Sequence, residues 1–320
     1  MRVKLATNMP LWAPKTLESY TDALVSGKIN QLRRTFRVLE NFVAPQEYID
    51  FADHLLGCTA ILDKEMNEQK VLCELRESSF LQLYERHELT EGAYLYRFSG
   101  GRERKTLLIV FSGNAQRPGM PMPMLLQRID ARAFDVLMLQ DSQKLQFRKG
   151  LSQTVNSFGK LANFCSQVRR LQNYSSTFTL GTSAGGFPAI RIALAIGAER
   201  AFSFGGQFPN DSLRILRGQA GDLSAYDPIC ACLEKTNRPY YYAHGLNEPE
   251  FGLYAKNAAA LTGGKEIRVD NVGLHALLGS LWAEGRLDTL LSVILGEDFP
   301  SNHTNRDGWS SDQYGLLFFR

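Results

Sequence analysis

The stretch Phe178-Thr-Leu-Gly-Thr-Ser-Ala-Gly-Gly-Phe187 constrains this chain more than any other. Thr177 to Leu180 is a short β-rich run. It leads directly into Gly181-Thr-Ser-Ala-Gly185, and an apolar stretch dense in Ala, Ile and Leu follows from Phe187 to Ile196, closed by Gly197. The pattern predicts a strand, a tight turn and a helix in immediate succession. Each residue type at the turn has a physical reason. Ser183 stands at the tip of a strained bend, so its Oγ is clear of the strand. Gly181 and Gly185 flank the bend because a Cβ there would collide with the neighbouring strand or helix. The new helix points its N-terminus at the serine, and unpaired backbone N–H groups there can stabilise an oxyanion. Gly186 is a further small residue, and Pro188 falls in the first helical turn, where a missing N–H costs little. Gly-x-Ser-x-Gly alone occurs in many loops; the strand before it and the helix after it make it specific here.

The 320 residues are enough for one large α/β domain or one domain with an appendage. Apolar residues make up 44%, which supports a substantial core. A net charge of +3 is too small to argue for nucleic acid or an anionic membrane, and no basic run is interleaved with aromatics. The 5 cysteines are scattered except for Cys230 and Cys232, whose spacing is too short for the usual zinc or redox motifs. Reduced cysteines and the absence of a signal-peptide pattern in Met1 to Pro14 place the expected location in the cytoplasm. No stretch approaches a membrane span in length, and nothing calls for a metal or cofactor.

Residues 1–100 are expected to form an extension of helices and antiparallel strands, and residues 101–320 the main domain. Leu17 to Val43 and Gln46 to Leu56 are expected to be helical, with Pro45 between them. Thr59 to Leu75 and Gly92 to Phe98 are expected as strands, the antiparallel start of a sheet. Ser99 to Lys105 is a polar turn. Thr106-Leu-Leu-Ile-Val-Phe111 and Phe134-Asp-Val-Leu-Met-Leu139 are apolar runs of the kind that form strands covered on both faces. Met122 to Ile129 and Leu151 to Leu171 are expected as helices. After the serine turn and its helix come a strand at Ala201 to Phe204, an insertion at about 207–236, and a strand at Tyr240 to Ala243. A helix over Phe251 to Leu261, a strand over Ile267 to Asp270 and a helix from Ala276 to Leu295, broken near Gly285, follow. Leu316 to Phe319 is expected to pack on the core. Strands alternating with helices imply a mostly parallel central sheet with helices on both faces. Ligands bind at the carboxyl edge of such a sheet, where Ser183 and the loops after Phe111, Ala243 and Asp270 arrive.

A serine hydroxyl needs a base within hydrogen-bond reach, and the base needs an acid to orient it. Of the 5 histidines, His54 and His87 lie in the first third and His303 in the tail. His244 and His275 follow sheet strands. His275 comes after Val269-Asp-Asn-Val-Gly-Leu274 and opens a helix, which makes it the expected base; a helix-capping histidine is the plain alternative. The segment His244-Gly-Leu-Asn-Glu248 resembles the His-Gly-x-x-Asp stretch of α/β-hydrolase esterases and peptidases, and the order serine, acid, histidine is that superfamily's. The resemblance spans about residues 104–296. It implies an α/β-hydrolase-like fold with a nucleophile elbow at Ser183. The triad acid then falls on Glu248, with Asp227, beside Asp222 in the preceding insertion, as the alternative. It also implies oxyanion donors at Ala184 and in the loop Gly113-Asn114-Ala115. No His-Gly-Gly-Gly motif is present, which sets the chain apart from the hormone-sensitive-lipase type. His244 is expected to be structural.

The expected activity is that of a serine hydrolase on a small-molecule or glycan ester, through a Ser183 acyl-enzyme. The same triad could pass the acyl group to a sugar or other alcohol, as an acyltransferase. A different class, a non-catalytic binding protein on a hydrolase scaffold, also fits the sequence. Nucleotide binding fits poorly, because Gly181 to Gly186 has neither a P-loop lysine nor the dinucleotide glycine spacing.

Overall fold

The structure is a computed structural model that describes residues 36–56, 69–101, 104–206, 236–245, 249–270, 272, 277–296, 309–311 and 316–319. Its helices and strands, in chain order, begin with α1 (Pro45–Leu56), α2 (Lys70–Glu77), β1 (Glu85–Thr90), β2 (Ala93–Arg97) and β3 (Thr106–Phe111). Next come α3 (Met122–Gln127), β4 (Phe134–Leu139), α4 (Phe158–Leu171), β5 (Ser176–Thr182) and α5 (Gly186–Ile196). Then follow β6 (Arg200–Phe204), β7 (Tyr240–Gly245), α6 (Pro249–Thr262), β8 (Lys265–Val269), α7 (Leu277–Ala283), α8 (Leu287–Leu295), β9 (Trp309–Ser311) and β10 (Leu316–Phe319). No helix among the described residues is long and apolar enough to cross a membrane.

The chain divides into two compact units. The first comprises residues 1–102 and 121–138. Its strands lie in the order β1-β2-β4, with β1 and β2 antiparallel. A buried cation organises this unit. The Arg86 guanidinium donates to both carboxylate oxygens of Glu47 at 3.0 and 3.1 Å and lies over the Phe42 ring. Arg97 likewise donates to the buried carboxylate of Asp135 at 3.1 Å.

The second unit comprises residues 103–120 and 139–320. Its strand order is β3-β5-β6-β7-β8-β10-β9. The run from β3 to β8 is parallel, and β10 then adds antiparallel to β8. Leu107 to Phe111 of β3 are wholly buried, as a strand covered on both faces requires. Helix α5 packs on β5 and β6, and α6 on β7 and β8. Nearly the whole circumference of α5 is apolar and most of it is buried; the helix ends at Gly197 in the left-handed conformation, φ 66°. Arg169 and Arg238 donate to the carbonyls at that end, where the helix dipole is negative.

Several expectations need correction. The expected strand from Thr59 to Leu75 is instead helix α2 over its described part, with Val71, Leu72 and Leu75 buried on one face. The antiparallel partner of β2 is Glu85–Thr90, a polar edge strand with Arg86 buried and no apolar alternation to reveal it. The long helix expected from Leu151 begins only at Phe158. Before it, the Ser152 hydroxyl accepts the Val155 N–H and Leu151 donates to the Val155 carbonyl, so that turn competes with the helix. Ser157 then caps α4 by accepting the Lys160 N–H. The expected strand at Tyr240 to Ala243 continues to Gly245 and takes His244 into the sheet. The break expected near Gly285 is present: at φ 72° that residue separates α7 from α8. Leu316 to Phe319 forms a strand of the sheet itself. Most of the helix expected from Leu17 and the whole insertion around 207–235 lie outside the described residues.

Candidate active site

Strand β5 delivers Ser183. The strand ends at Thr182, a 3-10 turn covers Ser183–Gly185, and α5 starts at Gly186. Ser183 has φ 52°, the left-handed region that a side chain makes costly. The surrounding glycines show why the sequence folds this way. A Cβ on Gly181 would lie 2.0 Å from the Gly185 carbonyl oxygen, and one on Gly185 would lie 2.5 Å from those of Phe111 and Ser112. A Cβ on Gly186 would lie 2.5 Å from Ser203 Oγ and 2.6 Å from Gly206 Cα. The bend is therefore pressed against β3, β5 and β6 at once, with no room for a side chain at Gly181, Gly185 or Gly186.

The loop after β3 lies directly against that tip. A Cβ on Gly113 would sit 3.4 Å from Ser183 Cβ and 3.2 Å from the Thr182 carbonyl oxygen. Two backbone bonds close the loop into a turn: Gly113 N–H donates to Arg117 O and Gln116 N–H to Gly113 O, both at 3.0 Å. The Gly113 N–H is thus taken. The Asn114 N–H has no backbone partner among the described residues. Ala184 is in the first turn after β5, where N–H groups lack helical acceptors. Ser112 Oγ and Thr182 Oγ1 are buried at this place without a hydrogen-bond partner among the described residues.

A second loop braces the first. Gln116 itself has φ 61°, its side-chain amide donates to the Asp141 carbonyl at 2.6 Å, and its own carbonyl accepts the Gln140 side-chain amide at 2.8 Å. The Asp141 carboxylate accepts the N–H groups of Gln143 and Phe147 at 3.1 and 2.8 Å. Burial pushes the Asp141 carboxyl above its usual range, against the opposing pull of those N–H donors. The Phe147 ring closes the circuit by meeting Phe111 edge-on, centroids 5.2 Å apart.

Ser183, Ala184, Gly113 and Asn114 are thus brought together. His275, Glu248 and Asp227 lie outside the described residues, and only their flanks are placed. Strand β7 ends at Gly245 and α6 starts at Pro249, bracketing Glu248; β8 ends at Val269 and α7 starts at Leu277, bracketing His275. The two flanks meet: a Cβ on Gly245 would lie 2.2 Å from the Val272 carbonyl oxygen. His244 is buried inside the sheet, with Nε2 2.7 Å from Glu266 Oε1 and Nδ1 3.0 Å from the Gly245 carbonyl oxygen. Arg268 donates to both oxygens of Glu266. Burial raises the Glu266 carboxyl, but the bonds from Arg268 and His244 outweigh it and hold the group below the usual carboxylate range. Beside α5, a small open cleft is lined by Phe187, Ile190, Ser203, Tyr242 and Phe251 among others. Gln116, Gln140 and Asp141 escaped the sequence reading. The signal available was polar residues directly after two apolar strand runs.

No protein-family model matches the chain, and no curated protein matches it. Solved structures do. An acylaminoacyl peptidase of Pyrococcus horikoshii is similar with a TM-score of 0.50 and 10% identity, over 78% of this chain and 46% of that one. A brefeldin A esterase, described as a bacterial homologue of human hormone-sensitive lipase, gives a TM-score of 0.47 at 13% identity, over 69% of this chain and 77% of that one. Est1E of Butyrivibrio proteoclasticus gives 0.43 at 12% identity, over 67% and 98%. This chain spans less than half of the Pyrococcus peptidase, and at these identities the likeness is one of fold. With the parallel run from β3 to β8 and the strained serine between β5 and α5, it leads to one conclusion: the chain has the α/β-hydrolase fold.

Proposed function

We propose that the protein is a serine hydrolase that cleaves an ester or related acyl substrate through Ser183. The observation that carries this reading is the left-handed φ of 52° at Ser183, at the head of α5 and against the loop after β3. Glycine would adopt that conformation with less strain, and a serine retained there at the head of a helix supports a role for its hydroxyl. Ser183 Oγ attacks the acyl carbon as His275 takes its proton. The carbonyl oxygen becomes an oxyanion facing the N–H groups of Ala184 and Asn114. His275 returns the proton to the leaving alkoxide as the carbon–oxygen bond breaks, leaving an acyl-Ser183 ester and an alcohol. Water, deprotonated by His275, then releases the acid and restores the serine. Glu248 orients His275 in this scheme, with Asp227 as the alternative acid. Gly113 contributes by its missing Cβ, which lets the loop approach Ser183.

The test is turnover of p-nitrophenyl acetate and labelling by a fluorophosphonate. Ser183→Ala is expected to abolish both. Persistent turnover in that variant would end the proposal. Adding a sugar or glycerol as acceptor, and separating the acylated product from free acid, distinguishes transfer from hydrolysis.

A further inference from the structure

We propose that Gln116 and Gln140 are positioning residues, a clamp that fixes the loop after β3 at the distance from Ser183 where its N–H meets the oxyanion. The inference rests on the serine-hydrolase reading for its catalytic half and on geometry for the rest. The turn Gly113–Arg117 is closed by its own two backbone bonds, so it is rigid inside but needs anchors to the sheet. Ser112 N–H supplies one, donating to Leu139 O at 3.0 Å. Gln116 supplies two more through both of its ends. Its side-chain amide donates to Asp141 O and its carbonyl accepts from the Gln140 side chain, consecutive residues at the exit of β4. The receiving platform is itself locked. The Asp141 carboxylate holds the N–H groups of Gln143 and Phe147, and Lys144, Gln146 and Phe147 all adopt left-handed φ between 54° and 58°. Phe147 then packs on Phe111, the last residue of the strand that carries the loop.

Such a closed circuit does more than a surface loop needs. Gln116 holds an unfavourable backbone conformation to present a carbonyl to one glutamine side chain while its own reaches the next residue's carbonyl. Preorganised donors are what oxyanion stabilisation demands, because a shift of about 1 Å in a reacting group costs on the order of 10²-fold in rate. Gln140→Ala removes the amide that holds the Gln116 carbonyl. Gln116→Asn keeps a residue tolerant of left-handed φ but shortens the reach to Asp141.

The experiment compares wild type, Gln140→Ala and Gln116→Asn by three measurements. These are p-nitrophenyl acetate kinetics, inhibition by phenylboronic acid, whose serine adduct is tetrahedral and anionic, and amide hydrogen exchange over residues 112–117. Either variant is expected to lower kcat about 10- to 100-fold with KM nearly unchanged, and to weaken boronate inhibition by a similar factor. Exchange should rise in the loop and stay constant in β5. Unchanged loop exchange overturns the clamp. Faster exchange with kcat and boronate affinity intact overturns its catalytic role. A wild-type chain with no Ser183-dependent turnover overturns the hydrolase reading and that role with it; the exchange measurement then decides the clamp by itself. Global unfolding of one variant leaves the other to decide, since the two cut different bonds of the same circuit.

Discussion

At Ser183 the backbone and the chemistry make opposite demands. The left-handed φ of 52° costs a non-glycine residue roughly 1–2 kcal/mol, which the nucleophile role proposed for the side chain would offset. Ser183→Gly is therefore expected to raise stability by about 0.5–1 kcal/mol after the extra entropy loss of glycine, while eliminating turnover. Ser183→Val, β-branched and intolerant of positive φ, should lower it. Denaturant melts read both, and a destabilised glycine variant would mean that Ser183 is not strained. This bend was fully legible in the sequence, because steric exclusion writes itself as glycine at fixed spacing. Gln116 and Gln140 were not legible. Their contacts join two loops with no periodicity to tie them, and glutamine is an ordinary loop residue.

The same contrast holds between strands. Strands β3 and β4 were readable because burial on both faces selects continuous apolar runs. Strand β1 was not, since Glu85–Thr90 lies at a sheet edge and buries the charged Arg86. Where β7 meets β8, the sheet buries His244 against Glu266 with Arg268 beside it. Glu266 is held below its ordinary range in the folded state, so it contributes stability above the unfolded carboxylate value. That contribution is lost as pH falls below about 4 and through the depressed folded value. Glu266→Gln should cost about 3 kcal/mol at pH 7 and flatten the acid limb of the stability curve. Thermal melts at pH 7 and pH 3 check it; an equal penalty at both pH values would show that packing, not charge, holds the dyad.

Across the molecule, the parallel run of five strands from β3 to β8 ends where antiparallel β10 and β9 are added. Four residue pairs, Leu316↔Val269 to Phe319↔Glu266, cover the free side of β8. Deleting residues 309–320 should uncover a row of unpaired N–H and C=O groups on that strand. We expect a lower Tm and concentration-dependent light scattering from the shortened chain. An unchanged Tm and a monodisperse shortened protein would show that the terminal strands are dispensable. The fold class was legible from alternating strands and helices alone. The way the sheet ends was not, because Leu-Leu-Phe-Phe reads equally well as a core plug or as a strand.

The platform at Asp141 bears on how far this protein can drift. Lys144 is exposed yet held at φ 55°, a conformation that glycine or asparagine would adopt with less strain. Its neighbours Gln146 and Phe147 share that geometry but are buried, so their identities are tied to what surrounds them. The chain thus carries at Lys144 a readily released reserve of stability on the platform that holds Gln116. A lineage that released it could accept destabilising changes in the site, such as those that alter substrate choice, without falling below the threshold for folding.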